Sequence, residues 1–148
     1  MFSKELNKKL DQYHLLNHPF YKSWNDGKLT REIIKDYAEQ YYQHVKAFPR
    51  YISATHSLCK DLDKRKILLE NLLDEEKDGA DHPKLWKNFA VAIGADTKEI
   101  ENVKKENFTE ELIDNFFKHG RSSYAEGLAS LYTYERQIPE IAETKIRG

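Results

Sequence analysis

Cysteine, methionine, proline and glycine are all scarce in this chain of 148 residues, which has one Cys, one Met, four Pro and six Gly. The single cysteine, Cys59, cannot form an internal disulfide, which agrees with a reducing compartment. We expect Cys59 to be a buried apolar residue rather than a nucleophile. No Gly-rich phosphate loop, His-Glu-x-x-His or Cys-x-x-Cys sequence occurs, and a covalent hydrolase is disfavoured because there is no serine elbow.

Long apolar runs and an excess of charge of one sign are also lacking. No stretch approaches the roughly 20 apolar residues that span a bilayer, and the first residues do not resemble a signal peptide. Charged residues make up 33% of the chain, but the formal net charge is −1, which gives no electrostatic argument for nucleic acid or an anionic membrane. We therefore expect a soluble, cytoplasmic protein that binds neither, with one domain over residues 1–148.

Apolar residues recur every three to four positions along most of the chain, and no strand-like alternation is seen. The clearest stripe follows Thr30, a candidate N-cap, and we expect Pro49 to interrupt it and start a new helix. Gly79 should end a later helix, and Asp81 should cap the helix that His82 enters. The pattern predicts an all-α protein.

Two glutamates occupy positions where the helical period calls for an apolar residue. Glu75 follows Leu68 by seven residues and Glu135 follows Leu128 by seven, and seven steps of about 100° return to within about 20° of the same face. Both carboxylates should therefore point inward, where they need a cation, an Arg or a metal as partner. In the alternative interpretation each stripe is slightly misread, and each Glu lies at the edge of a solvated face.

His82 lies seven residues after Glu75, at the start of the next helix, from where it can fold back toward that carboxylate. An ordinary cap or surface histidine is the alternative. Helical bundles that hold two iron or manganese ions use inward Glu with nearby His, and these ligand types suit those metals. Glu75, His82 and Glu135 would supply three ligands, half of a dinuclear site. One interpretation has His44 and His56 facing the same cavity, and the plainer one treats them as solvated or core histidines.

Four segments resemble a known family. They are His-Pro-Phe-Tyr-Lys-Ser-Trp at 18–24, Lys-Ala-Phe-Pro-Arg-Tyr at 46–51, the acidic run with His and Leu-Trp at 74–86, and Leu-Tyr-Thr-Tyr-Glu-Arg-Gln-Ile-Pro at 131–139. Over nearly its whole length the chain resembles the CADD-like branch (Chlamydia protein associating with death domains) of the TenA/PqqC superfamily. The resemblance implies a heme-oxygenase-like helical bundle with a dinuclear iron or iron/manganese centre of the oxygenase type, for which Glu75, His82 and Glu135 match the first three metal ligands.

The resemblance also implies an activity, the formation of para-aminobenzoate for folate biosynthesis. In that reaction a tyrosine of the protein supplies the ring and a lysine supplies the amino group. By position Tyr21 matches the sacrificed tyrosine, Tyr134 a second tyrosine beside the metal, and Lys145 the amino donor. Otherwise Tyr21 is a packing residue at a helix start, and Lys145 is a solvated terminal lysine.

The family's later motif, His-x-x-x-Asp-x-x-His, does not occur in this chain. We therefore expect a bundle that lacks its last two helices, binds metal weakly or partially, and forms no aminobenzoate by itself. The expected partners are a second copy in a homodimer or helix-exchanged oligomer, a separate C-terminal polypeptide, or a host death-domain protein. The alternatives are a non-catalytic helical interaction module, a TenA/PqqC-like protein of cofactor metabolism, or a remnant without function.

Overall fold

The computed structural model describes residues 2–77 and 81–147, and every regular element within them is helical. The elements are α1 (Phe2–Asp11), a 3₁₀ turn (Leu15–Asn17), α2 (Pro19–Asn25), α3 (Arg31–Leu58), α4 (Leu62–Glu76), α5 (His82–Ala92), a 3₁₀ turn (Ile100–Asn102), α6 (Asn107–Ser122), α7 (Tyr124–Glu135) and α8 (Ile138–Arg147). The all-α prediction is confirmed. The predicted helix end at Gly79 lies outside the described residues.

The chain divides into two compact units, a central unit of residues 31–131 and a terminal unit of residues 1–30 and 132–148. The expectation of one domain over residues 1–148 stays a prediction. Within the described ranges, no helix combines the length and the apolar character that crossing a bilayer requires.

In the central unit α3 is the helix against which α4, α5 and α6 pack. One part of its apolar stripe joins α5 in a cluster of buried side chains, which comprises Ala38, Tyr42, Ala90, Ala95 and Ile100 with Trp86, Phe89 and Ile93 packed around it. The Trp86 indole N–H also donates to the Ala38 carbonyl at 2.9 Å. Gly94, with φ of 109°, follows the end of α5 in a conformation that favours glycine.

A second part of the α3 stripe builds an aromatic cluster with α6. The Tyr51 ring stacks on Phe116 with centroids 4.8 Å apart and meets the edge of Phe117 at the same distance. His44 lies beside them and is 1% exposed. Because burial disfavours the charged imidazolium, it lowers the pKa of His44 to about 4. His44 is therefore a neutral core residue near pH 7.

The predicted helix break at Pro49 is wrong, since α3 continues for 28 residues with Pro49 inside it. A proline in a helix interior loses one hydrogen bond and crowds the carbonyl four residues earlier, at a cost of about 3 kcal/mol. Its neighbours Phe48, Tyr51 and Ile52 are all buried. Breaking the helix would expose these side chains, so tertiary packing outweighs the local preference.

Candidate metal and tyrosine–lysine sites

Glu75 and His82 form a carboxylate–imidazole pair in the central unit. Glu75 lies near the end of α4, on the same face as Leu68, and the two residues are 9% and 4% exposed. The inward orientation that the helical period predicts for Glu75 is therefore observed. His82 is the first residue of α5, and the Asp81 side chain caps this helix by accepting from the Lys84 backbone N–H at 2.9 Å. The cap fixes the start of α5 where His82 can turn back to Glu75.

The two side chains are joined by a hydrogen bond, with 2.8 Å between His82 Nδ1 and Glu75 Oε2. A carboxylate accepts hydrogen bonds only, so Nδ1 is the donor when Glu75 is ionised, and in the neutral imidazole the lone pair then lies on Nε2. The His82 side chain is 51% exposed, whereas that of Glu75 is 12% exposed. The pair therefore has a buried carboxylate and an accessible imidazole.

A second pair with the same spacing provides an internal comparison. His119 Nδ1 and Glu126 Oε2 lie 3.2 Å apart, and both side chains are about half exposed, at 46% and 56%. The Glu126 carboxylate also accepts from the Ser122 hydroxyl at 2.6 Å, which helps to hold its pKa below the usual range. This pair lies at the solvent-exposed surface, so burial of the carboxylate distinguishes the Glu75 pair from it.

The donor types in the Glu75–His82 pair fit iron or manganese, because both metals accept carboxylate oxygen together with imidazole nitrogen. Two donors do not complete a site. Across residues 2–77 and 81–147, no group of three or more His, Cys, Asp or Glu side chains is arranged to hold a metal ion. The assignment of Glu75, His82 and Glu135 as metal ligands therefore stays a prediction.

Three residues considered from the sequence lie elsewhere in the central unit. His44 belongs to the aromatic cluster, and His56 is half-buried near the end of α3. Cys59 is 6% exposed, as expected for a small apolar residue, and its thiol donates to the Asp61 carbonyl at 3.4 Å.

Tyr21 and Lys145 come together in the terminal unit. Pro19 opens α2, and the His18 side chain caps it by accepting from the Phe20 backbone N–H at 3.2 Å. This start orients Tyr21 inward, and its side chain is 7% exposed. The Lys145 Nζ atom, near the end of α8, lies over the Tyr21 ring at 5.5 Å from its centroid. Two residues 124 positions apart, which the resemblance names as ring donor and amino donor, are thus neighbours.

Lys145 is not a solvated terminal lysine. Burial of its amine lowers the pKa of Lys145 to about 8 from an ordinary 10.5. Its ammonium group also lies over the Trp24 ring, at 5.6 Å from the centroid. The Trp24 indole N–H donates to the Lys145 backbone carbonyl at 3.2 Å. Sequence reasoning assigned Trp24 no role, because helical spacing cannot show a contact between the first and last thirds of a chain.

Tyr134 and Glu135 are the last two residues of α7, and both are partly buried. Gln137 holds this helix end. Its side-chain N–H donates to the Thr133 carbonyl at 2.9 Å, and its side-chain oxygen accepts from the Leu15 backbone N–H at 2.9 Å. Gln137 is 6% exposed, and the sequence patterns did not indicate its role. The catalytic assignment of Tyr21, Tyr134 and Lys145 stays a prediction.

The amino-acid sequence of this chain is similar to one family of known proteins. A sequence model described as the TENA/THI-4/PQQC family matches residues 3–148. A 4-aminobenzoate synthase of Chlamydia muridarum is 44% identical over 148 residues, which cover 99% of this chain and 63% of that protein. A 4-aminobenzoate synthase of Nitrosomonas europaea is 40% identical over 158 residues, with 99% and 64% covered.

A more distant similarity extends to a pyrroloquinoline-quinone synthase of Ectopseudomonas mendocina. It is 26% identical over 103 residues, which cover 67% of this chain and 40% of that protein. The chain thus spans 63–64% of the length of the two 4-aminobenzoate synthases. Similarity to them is both stronger and more extensive than similarity to the quinone synthase.

Proposed function

The chain belongs to the TENA/THI-4/PQQC family, and on this premise we propose that it serves the formation of 4-aminobenzoate. Tyr21 supplies the aromatic ring, Lys145 supplies the amino nitrogen, and Tyr134 is a second tyrosine of the site. The names of the relatives at 40–44% identity support this reaction class. Because the chain covers less than two thirds of those relatives, the complete activity of the whole protein is part of the proposal.

One observation carries the proposal, the position of the Lys145 amine at 5.5 Å from the Tyr21 ring centroid. The reaction must join a nitrogen to a phenol ring, and the Lys145 amine already lies over the Tyr21 ring. Proximity of this kind removes much of the entropic cost of bringing two reactants together. A solvated lysine at the end of a chain would have no such orientation.

The state of the Lys145 amine also suits a nitrogen donor. Only the neutral amine has a lone pair, and an ordinary lysine with pKa near 10.5 is almost wholly charged at pH 7. With the pKa of Lys145 lowered to about 8 by burial, about a tenth of the molecules carry the neutral form at pH 7. The fold thereby raises the fraction of nucleophilic amine without an added base.

Glu75 and His82 would hold iron or manganese as part of the metal site that the proposal requires, and the resemblance adds Glu135 as a third ligand. The metal, when bound, would supply the redox chemistry that removes electrons from a phenol ring. Glu75 offers a buried anionic oxygen, and His82 offers an imidazole nitrogen that Asp81 positions through the start of α5. The burial of Glu75 supports this role, since an inward carboxylate is stabilised by a cation.

Isotope labelling tests the proposal directly. Protein made with ¹⁵N-lysine and ring-¹³C-tyrosine is incubated with Fe(II), Mn(II), a reductant and dioxygen, alone and with a separate polypeptide equivalent to the C-terminal third of a relative. We expect ¹⁵N,¹³C-aminobenzoate in the second mixture only. Tyr21→Phe and Lys145→Ala should each abolish it. Unlabelled product, or product that survives both substitutions, would refute the donor assignment.

Controls in the same unit separate chemistry from folding. Tyr13 is 79% exposed, and Lys28 is exposed and paired with Asp26 at 2.7 Å. Tyr13→Phe and Lys28→Ala should leave product yield unchanged. Labelled product from the chain alone would show that the metal site needs no further polypeptide.

Metal binding is tested separately from product. We expect Glu75→Gln to weaken Mn(II) binding by about tenfold or more. Binding is measured from the electron paramagnetic resonance signal of free Mn(II). The matched control is Glu126→Gln, which removes the same carboxylate from a His pair of the same spacing but at the surface. Equal loss of Mn(II) binding in both variants would mean that Glu75 has no special role.

A second candidate function, a helical module for self-association, is favoured by the outer surface of α4. Leu62, Leu69 and Leu73 share one face of this helix and are 61%, 45% and 53% exposed. The face opposite to them carries the buried Leu68 and Glu75. Exposed apolar patches often mark protein interfaces. Sedimentation of the protein at micromolar concentration should show a dimer that Leu69→Lys dissociates, and a monomer in both would remove this candidate.

A further inference from the structure

We propose that Trp24 is the positioning residue of Lys145, which it holds at two points, the backbone carbonyl and the amine. The inference rests on the proposed function in that Lys145 is taken as the amino donor. Trp24 itself touches no reacting atom in this account. It fixes the distance and direction from which the Lys145 amine faces the Tyr21 ring.

The first point of attachment is a hydrogen bond. The Trp24 indole N–H donates to the Lys145 carbonyl at 3.2 Å, and this carbonyl belongs to the last turn of α8. Carbonyls in the last turn of a helix have no partner within the helix. The Trp24 N–H therefore donates to a carbonyl at the helix end and ties the end of α8 to α2.

The second point of attachment is the ring face. The Lys145 Nζ atom is 5.6 Å from the Trp24 centroid and 5.5 Å from the Tyr21 centroid, both within the range of attraction between an ammonium group and an aromatic face. The two rings lie three positions apart on α2, so they form adjacent walls. An amine placed between them has only a narrow choice of position.

Packing of the core alone does not require the hydrogen bond or the ring contact between Trp24 and Lys145. Any large apolar side chain at position 24 would bury area, and the Tyr21 and Trp24 rings already pack with Phe20, at centroid distances of 5.4 Å and 6.0 Å. Unlike a purely hydrocarbon side chain, the indole adds a nitrogen donor, which here reaches the Lys145 carbonyl at 3.2 Å. The four-carbon side chain of lysine has many rotamers, so holding both ends restricts the amine far more than holding one.

The test measures Lys145 itself and needs no catalytic turnover. The full chain is labelled with trace amounts of isotope-coded acetic anhydride over a range of pH, and the extent of modification at Lys145 is read by mass spectrometry. The midpoint should lie near 8 in the native protein. Trp24→Ala should move it toward the ordinary value of 10.5 and increase labelling at high pH, while Trp24→Phe, which keeps a ring but loses the N–H, should give an intermediate result.

Trp86→Phe is the matched control, because Trp86 also donates its indole N–H to a backbone carbonyl, that of Ala38 at 2.9 Å. It should leave the Lys145 midpoint unchanged. If all Trp24 variants unfold, nuclear Overhauser contacts in the native protein decide the matter. Contacts between the Lys145 ε-methylene protons and both rings are expected. Their absence, or an unmoved midpoint in a folded Trp24 variant, would overturn the inference.

The outcome is separable from that of the proposed function. Shifted Lys145 labelling in the Trp24 variants, with no ¹⁵N in the aminobenzoate, would keep the positioning role and remove the donor role. If the product carries ¹⁵N and is formed equally by native protein and Trp24→Phe, the donor role of Lys145 is kept and the positioning role of Trp24 is removed. If Lys145 is the donor and Trp24 positions it, Trp24→Phe should reduce product yield by about tenfold or more, while Trp86→Phe should not.

Discussion

Replacing Gly127 by alanine should destabilise the central unit, although the same change normally stabilises a helix. A Cβ atom at Gly127 would clash with Thr55 Oγ1 and would lie 2.9 Å from Thr55 Cγ2. Thr55 is completely buried, and its hydroxyl donates to the Tyr51 carbonyl at 3.0 Å. The new methyl group can be accommodated only if Thr55 rotates or if α7 moves away from α3.

The expected magnitude follows from two opposing contributions. Removing a glycine from a helix interior stabilises by about 1 kcal/mol, whereas overpacking a tight core costs about 1–3 kcal/mol and rotating Thr55 loses a hydrogen bond of about 1 kcal/mol. We expect Gly127→Ala to lower the free energy of unfolding by about 1–3 kcal/mol. The melting temperature should fall by about 4 °C per kcal/mol.

Gly120→Ala is the matched control for this experiment. A Cβ at Gly120 would meet Thr55 Oγ1 at 3.5 Å and Ala54 Cβ at 3.6 Å, which are ordinary van der Waals distances. This variant should be as stable as the native protein or slightly more so. Urea unfolding followed by circular dichroism compares both variants with the double variant Thr55→Ala/Gly127→Ala, in which the clash is relieved. Equal stability of the two single variants would refute the reasoning.

Three further expectations concern charge and helix starts. The pKa of His44 is about 4 in the folded protein and about 6.5 in the unfolded chain, so the unfolded chain binds the proton first as pH falls. The free energy of unfolding should therefore drop by about 3 kcal/mol between pH 6.5 and pH 4. His44→Gln should flatten this pH dependence. Glu101 accepts from the Tyr42 hydroxyl and pairs with two lysines, so Glu101→Gln should cost less than about 1 kcal/mol, with the difference from native protein shrinking in high salt. Asp81→Ala removes the cap of α5, which should cost about 1 kcal/mol in urea unfolding and weaken Mn(II) binding through misplacement of His82.

Local sequence patterns predicted much of the helical framework and part of the candidate site. The cap at Asp81 and the inward face of Glu75 depend on neighbouring residues, and both are observed. The fold-back of His82 toward Glu75 also follows, because only seven residues separate them. Such features are determined by helical period and capping chemistry, which a single sequence contains.

Features that depend on distant parts of the chain were not predictable in this way. The continuity of α3 through Pro49 is a result of packing on both sides of the proline, and the local rule alone predicted a break. The contact of Trp24 with Lys145 joins residues 121 positions apart. Family resemblance indicated Tyr21 and Lys145 as a reacting pair, but the distance between them and the contacts of Trp24 with Lys145 required coordinates.

The arrangement of the central unit around α3 has a consequence for how that unit opens. Since α4, α5 and α6 each make their main contacts with α3, any one of them can detach while α3 keeps the other two. The amide hydrogens of α3 should therefore exchange with deuterated solvent only when the whole unit unfolds, whereas those of α4 can exchange through a smaller opening. Glu75 lies on such a peripheral helix, so the proposed ligand can be released to solvent transiently without loss of the fold.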